Sequence, residues 1–383
     1  MKFLIKYGLL PVLFLMSFAM GSETFRAGFG YGIDISMLIV IAFVVYYLFM
    51  YKNRIRGGLS YSWWLYLLVV PTIAMTILEG GDMQEMLCST CCLMLPFALE
   101  PFVPGNDKQI LRGFYLTFVV STIVLLLYSN FGFLSKWNTN CIAYLTYMGI
   151  AGAAIILSEN RKNIVVWVFL GYTFIQLMVT QSRNVMSALV IVILLVMFKN
   201  TFSKKLPYTL VTIGAILYPA IFPIIVTKVN KGTALYTLLR SITEDGFDKN
   251  SVFSGRDAIF PVAEGIFDSS LFNNVLGFGD PMINVLAVHN DYYMIRYAYG
   301  IVGTIIITAL LIAFFKNAYV LIQKGDNITF GCTAVIVGVL FQQASEGWFL
   351  ATPLVVLMAF VYMAIVIKRY RMSEGKHLKN ENA

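Results

Sequence analysis

The chain has 383 residues, of which 59% are hydrophobic and only 13% are charged, and its mean hydropathy is +0.77. Soluble domains carry about 25% charged residues, so this composition excludes an ordinary soluble protein. The formal net charge of +8 does not call for a nucleic-acid partner, because the basic loops that orient a membrane protein account for most of it.

The apolar segments, taken in chain order, predict an all-α polytopic membrane protein. A helix needs roughly 20 mostly apolar residues to cross about 30 Å of hydrocarbon. About twelve segments approach this length: 3–20, 33–51, 60–78, 83–99, 110–129, 140–158, 163–181, 184–198, 206–227, 289–315, 329–345 and 349–367. Residues 1–227 then hold helices one to nine, 228–288 a large loop, 289–367 helices ten to twelve, and 368–383 a basic tail.

The distribution of Lys and Arg predicts the orientation in the membrane. Short cationic loops are retained on the cytoplasmic side. With the N-terminus inside, most of the 28 basic residues lie in cytoplasmic loops, and both termini are cytoplasmic. The exceptions cluster in the loop 228–288 and at Arg183. We therefore expect this loop to face outward and to contain the functional site.

A polar hinge, Gln181-Ser182-Arg183-Asn184, separates the seventh and eighth predicted helices. Ser182 can cap the eighth helix, so that backbone amides and the Arg183 guanidinium point outward together. A helix N-terminus beside an arginine is a ready anion site, and a diphosphate is the anion expected at a membrane surface. The alternative is a snorkelling arginine that anchors the helix end.

The loop 228–288 contains Arg240 and the sequence Ser254-Gly255-Arg256-Asp257. Its apolar stretches at 259–262 and 265–267 predict short amphipathic helices that lie against the membrane face and shelter a site. Arg256 and Asp257 have an alternative role as a surface ion pair at a helix start. For both Arg240 and Arg256 the structural and the functional interpretations stay open.

His289 is one of two histidines and opens the tenth predicted helix. An imidazole there can accept a proton from an attacking hydroxyl or donate a hydrogen bond to a phosphate. Helical spacing places Tyr293 and Arg296 on the same face as His289. The alternative is a helix-start histidine that is hydrogen-bonded to a carbonyl.

Four glycines near these residues are expected to serve the backbone. Gly277 and Gly279 suit turns, and Gly300 and Gly303 suit close helix packing. No P-loop, dinucleotide-binding or zinc-protease motif occurs, so an ATP-driven pump and a metalloprotease are not indicated.

Four motifs together resemble those of the O-antigen polymerase and O-antigen ligase superfamily. The resemblance covers roughly residues 180–305 and depends on the order and spacing of the motifs, since each alone is weak. The motifs are Gln181-Ser182-Arg183-Asn184, Ser254-Gly255-Arg256-Asp257, Leu276-Gly277-Phe278-Gly279, and His289-Asn290-Asp291-Tyr292-Tyr293 followed by Tyr299-Gly300-Ile301-Val302-Gly303.

The resemblance implies a membrane glycosyltransferase of GT-C-like architecture in the bacterial inner membrane. Its substrate would be an undecaprenyl-diphosphate-linked oligosaccharide on the outer face, and it would need no metal, cofactor or nucleotide sugar. Arg183 and Arg256 would bind the diphosphate, Arg240 is a further candidate, and His289 would act at the reacting centre. Asp257 and Glu346 remain alternatives as general base. Tyr293 and Arg296 enter as substrate-binding candidates through the helical stripe.

Three functions stay open at this point. We favour a polymerase that joins lipid-linked repeat units, because polymerases are the larger group. A ligase that transfers the finished chain to lipid A-core is the first alternative, and a flippase or exporter of the same lipid-linked sugars is the second. The expected partners are the lipid bilayer and, by resemblance alone, a chain-length regulator and a flippase of the same pathway.

Overall fold

The computed structural model describes residues 7–20, 41–46, 62–131, 139–178, 183–229, 256–280, 288–344 and 357–381. Within these ranges all regular structure is helical, with a 3₁₀ turn at Glu100–Phe102 and helical residues also at 41–46. The α-helices are α1 (Leu10–Met20), α2 (Ser62–Glu79), α3 (Met83–Leu99), α4 (Asp107–Phe131), α5 (Thr139–Glu159), α6 (Ile164–Met178), α7 (Arg183–Met197), α8 (Lys199–Phe202), α9 (Lys205–Lys228), α10 (Arg256–Asp268), α11 (Leu271–Leu276), α12 (Asp291–Gln323), α13 (Asn327–Gln343) and α14 (Leu357–Glu381).

Three of the described helices are long and apolar enough to cross a membrane. These are α4, α9 and α12, with 25, 24 and 33 residues. At 1.5 Å per residue each exceeds the roughly 30 Å of a hydrocarbon core. The described residues also include shorter apolar helices, among them α6 and α13. The chain is thus an all-helical protein with the helices of a membrane protein.

Helix α13 lies at the centre of the bundle and is buried on all sides. Small residues let its neighbours approach closely, as is common where membrane helices pack. A Cβ on Gly331 would lie 2.7 Å from Ile155 Cα of α5, and one on Gly338 would lie 2.4 Å from the Tyr147 hydroxyl. The same Cβ on Gly338 would lie 3.1 Å from the carbonyl oxygen of Ala188 in α7.

Ion pairs join helix termini at one end of the bundle, which we call the ion-pair end. Arg369 of α14 bonds to Asp107 at the start of α4 and to Asp326, the N-cap of α13. Arg371 pairs with Glu100 of the 3₁₀ turn. These contacts hold three separate segments of the chain together at this end of the bundle.

The opposite end carries α10 and α11, and we call it the loop end. Gln323, at the close of α12, donates to the Ser203 carbonyl just before α9, while Asn290, just before α12, donates to the Ala344 carbonyl just after α13. Helix α12 therefore runs antiparallel to both α9 and α13. The basic residues Lys199 and Arg369 and the helices of the 228–288 loop lie at opposite ends of the bundle.

Candidate functional site

Helix α12 is interrupted at Gly300, where φ is 68° and ψ is −172°. This backbone conformation is essentially restricted to glycine. A donor from another segment enters at the break, since the Phe278 amide donates to the Tyr297 carbonyl at 2.7 Å. The Phe278 ring also stacks on Tyr297, with 4.6 Å between ring centroids. A broken helix is tolerated in a membrane when neighbouring groups satisfy its backbone in this way.

The segment after α11 fits between α12 and α2 because its glycines lack side chains. A Cβ on Gly277 would lie 2.3 Å from the Ala298 carbonyl oxygen, and one on Gly279 would lie 2.3 Å from the Thr76 nitrogen. Both glycines have positive φ, which confirms the predicted turns. The close packing predicted for Gly300 occurs against this segment and not against another helix.

Asn290 joins three helices at the loop end. Its side-chain amide donates to the Pro219 carbonyl of α9 at 2.9 Å and to the Ala344 carbonyl at 2.7 Å. The Pro219 carbonyl has no hydrogen-bond donor within α9, because residue 223, which would supply it, is also a proline and has no N–H. The side-chain oxygen Oδ1 of Asn290 in turn accepts from the Tyr293 amide at 3.1 Å and caps α12. This fully buried side chain thus bonds to two carbonyls and caps one helix start.

We expect Asn290→Ala to lower the free energy of unfolding by about 2–4 kcal/mol, because two buried carbonyls lose their donors. Asn290→Asp should be at least as destabilising, since a carboxylate would keep the cap but face two carbonyl oxygens. Thermal unfolding of the purified variants in detergent measures both effects. An Asn290→Asp variant as stable as the wild type would show that only the cap matters.

Aromatic rings dock α10 onto the first turns of α12. Phe260 and Phe267 both stack on Tyr293, with centroid distances of 5.3 and 5.5 Å, and Phe222 of α9 meets Phe260 edge-on at 6.3 Å. Phe260 and Phe267 are fully buried and Tyr293 is nearly so. Buried aromatic pairs of this kind add to the stabilisation that comes from area alone. One phenylalanine from each apolar stretch of the loop therefore lies on the inner face of α10, whereas Val262 is exposed.

Glu264 of α10 receives hydrogen bonds from two residues of α12. The Tyr293 hydroxyl donates to Oε1 at 2.7 Å, and Arg296 Nη1 donates to Oε2 at 3.0 Å. Arg296 also donates from Nε to Asn274 Oδ1 of α11 at 3.1 Å, and its guanidinium lies 4.1 Å above the Phe267 ring. A phenol and an arginine thus converge on one anionic group, which is the arrangement that binds carboxylates and phosphates.

The predicted stripe of His289, Tyr293 and Arg296 is present only in part. Tyr293 and Arg296 share a face, but His289 is exposed, has a φ of 46° and precedes the cap, so it lies outside the helix. The reason is the extended backbone of Asn290, with φ −147° and ψ 118°. The helix therefore begins after Asn290, and helical spacing does not apply to His289. The prediction that His289 opens the helix is wrong, whereas its functional role stays a prediction.

Arg256 begins α10 and is partly buried. Helical spacing places it on the face that carries Phe260 and Phe267, so it points towards the body of the protein. Asp257 follows it in α10, and its side chain lies outside the described part. Arg240 and Glu346 also lie outside the described residues.

Arg183 begins α7 at the loop end, although its side chain lies outside what the structure describes. Helices α7 and α13 run antiparallel and touch at Ala188 and Gly338. From that contact, helical rise carries Arg183 about 8 Å and Ala344 about 9 Å in the same direction. Along the bundle axis, the Arg183 backbone therefore lies level with Asn290 and its contacts to Pro219 and Ala344.

A cavity of about 60 Å³ lies between α9, α12 and α13. Asp291, Thr304 and Gln343 contribute polar groups to a mainly apolar wall. This volume is large enough to hold a few water molecules.

Three site residues were missed in the sequence: Glu264, Asn274 and Asn290. A lone glutamate on an amphipathic helix ordinarily indicates a solvated face, and an asparagine in a loop indicates a turn. Only Asn290 carries a usable signal, since an asparagine directly before an apolar run is a preferred N-cap.

Comparison with known proteins gives no match: no protein-family model, no curated protein and no solved structure is significantly similar to this chain. The resemblance to O-antigen polymerases and ligases therefore depends on the four motifs, and the fold class depends on the helices described above.

Proposed function

We propose that the protein is a polysaccharide polymerase of the bacterial inner membrane. It joins undecaprenyl-diphosphate-linked oligosaccharide units on the outer face and releases the polyprenyl diphosphate. In this proposal about twelve helices span the membrane in a GT-C-like arrangement, both termini are cytoplasmic, and the loop end faces outward. A chain-length regulator and a flippase are partners that the family resemblance suggests.

The observation that carries the proposal is the convergence of Tyr293 and Arg296 on one anionic group, the Glu264 carboxylate of α10. The polar contacts lie at the loop end, opposite the basic residues that the positive-inside pattern assigns to the cytoplasm. Arg256 starts the same amphipathic helix, and Arg183 begins α7 at the height of Asn290. This arrangement suits a lipid diphosphate that enters from the outer leaflet.

The proposed reaction is a single displacement at the anomeric carbon of the donor sugar. The acceptor hydroxyl oxygen forms the new bond to that carbon, and the bond from the carbon to the diphosphate oxygen breaks. The electron pair stays on the lipid diphosphate, where arginines stabilise the developing charge. The hydroxyl proton passes to His289, with Asp257 and Glu346 as alternative bases. Such a displacement inverts the configuration at the carbon.

A transport function finds less support. An exporter of lipid-linked sugars would need a cationic path near the membrane midplane. In the described part of the chain, the cavity between α9, α12 and α13 has an acidic residue and no arginine in its lining.

Reconstitution tests the function directly. The purified protein is placed in proteoliposomes with its native lipid-linked repeat unit and without lipopolysaccharide core, and products are separated by size on a gel. A ladder of lengths is the expected result. Transfer that occurs only after core is added would identify a ligase, and no transfer in either case would favour transport.

We expect His289→Ala to lower polymer formation by about 100-fold or more, because a general base contributes that much to a transfer step. Because His289 is exposed, we expect the variant to fold and insert. The measurement is turnover per mole of folded protein in proteoliposomes. Normal turnover, or a loss that only follows protein abundance, would remove His289 from the mechanism.

A further inference from the structure

The ion pair between Arg296 and Glu264 is asymmetric. The Arg296 side chain is 14% exposed, whereas the Glu264 side chain is 44% exposed. Arg296 is also fixed by contacts that do not involve Glu264, namely the Phe267 ring and the Asn274 side chain. The guanidinium is therefore held in place, and the Glu264 carboxylate is the partner that can move away from the ion pair.

The docking of α10 does not depend on this ion pair. Phe260 and Phe267 are fully buried against Tyr293, and this apolar contact persists if the carboxylate turns to solvent. Ion pairs with an exposed partner contribute little to stability. The loss of a half-exposed carboxylate from Arg296 therefore costs little, provided that another anion takes its place.

We propose that Tyr293 and Arg296 form a diphosphate-binding site in which Glu264 is a resident competing anion that the substrate displaces. The identity of the ligand rests on the proposed function. A diphosphate presents several anionic oxygens, so it can accept from both the phenol and the guanidinium and offer more charge than one carboxylate. Glu264 pairs with the largely buried arginine when no substrate is bound and returns to it after product leaves. No covalent bond changes in this exchange.

The test is the affinity of the full-length protein in detergent for farnesyl diphosphate, measured by calorimetry. Glu264→Gln should tighten the Kd by about two- to fivefold, the value of one exposed ion pair. The matched control is Asp268→Asn, which removes the same charge from an exposed position of α10 and should leave the Kd unchanged. Arg296→Gln should weaken binding by about tenfold or more, and adding Glu264→Gln to it should give no gain.

Three results would overturn the proposal. A Glu264→Gln variant that binds as the wild type does, or more weakly, would make Glu264 a structural contact only. An equal gain from Asp268→Asn would assign the effect to general charge. A gain that persists without Arg296 would place the ligand elsewhere. Gel filtration confirms that each variant is folded before binding is measured.

Two further measurements distinguish a failure of this inference from a failure of the proposed function. Inorganic diphosphate is compared with farnesyl diphosphate, and similar gains for both would assign the site to free phosphate groups and not to a lipid-linked donor. Polymer formation is measured in parallel. A ladder with no effect of Glu264→Gln on affinity would overturn only the competing-anion role, whereas the expected affinity changes without a ladder would overturn only the polymerase.

Discussion

Replacing Arg183 with alanine is expected to abolish polymer formation in proteoliposomes and to leave the amount of inserted protein unchanged. The arginine begins α7 at the loop end, where the helix N-terminus already favours an anion. Loss of one charged donor to a transition state costs about 100- to 1,000-fold in rate. Arg183→Lys should recover little, because an ammonium lacks the two-pronged geometry of a guanidinium. Turnover is read from the rate at which the ladder appears.

The matched control is Arg161→Ala at the other end of the bundle. Arg161 donates to the Met197 carbonyl, at the close of α7, and to the Asn200 side chain. Its loss should leave turnover close to that of the wild type. If Arg183→Ala is as active as Arg161→Ala, Arg183 is an anchor of the helix end and not a ligand.

Gly300→Ala is expected to lower the free energy of unfolding by at least about 3 kcal/mol. A side chain there would need a positive φ with an extended ψ, and its Cβ would lie 2.2 Å from the Val275 carbonyl oxygen. Neither backbone can move aside without breaking the bond from Phe278 to Tyr297. A fall in the thermal unfolding midpoint in detergent measures the effect.

Gly214→Ala provides the control for this change. Gly214 lies within α9, and a Cβ there meets no heavy atom within 4 Å. Alanine favours a helix over glycine by up to about 1 kcal/mol, so this variant should be as stable as the wild type or more so. Equal stability of both variants would show that α12 does not need its break.

Hydropathy predicted the helices well where length and composition alone decide the outcome. The segment 83–99 was predicted as a helix and is one, and 206–227 corresponds to Lys205–Lys228. The break at Gly300 carries no comparable signal, because glycine is common in continuous membrane helices. Its position depends on the backbone of 275–278, which belongs to another element.

The site was predictable only within single helices. Spacing along α12 placed Tyr293 and Arg296 together, and the structure brings both to Glu264. The pairing with Glu264 depends on how α10 docks, and sequence periodicity holds no information about docking. His289 was assigned to the helix because the capping role of Asn290 was overlooked.

The two acceptors of Asn290 are synthesised at different times, so its hydrogen bonds form in a fixed order. One of its acceptors, the Pro219 carbonyl, has already left the ribosome when Asn290 is made, and the other, the Ala344 carbonyl, has yet to be translated. Because synthesis proceeds from the N-terminus, α12 enters the membrane with one amide hydrogen of Asn290 still lacking its final acceptor. The junction under α10 closes only when α13 follows. A nascent chain that stops short of residue 344 would therefore hold an immature site, however well its earlier helices have inserted.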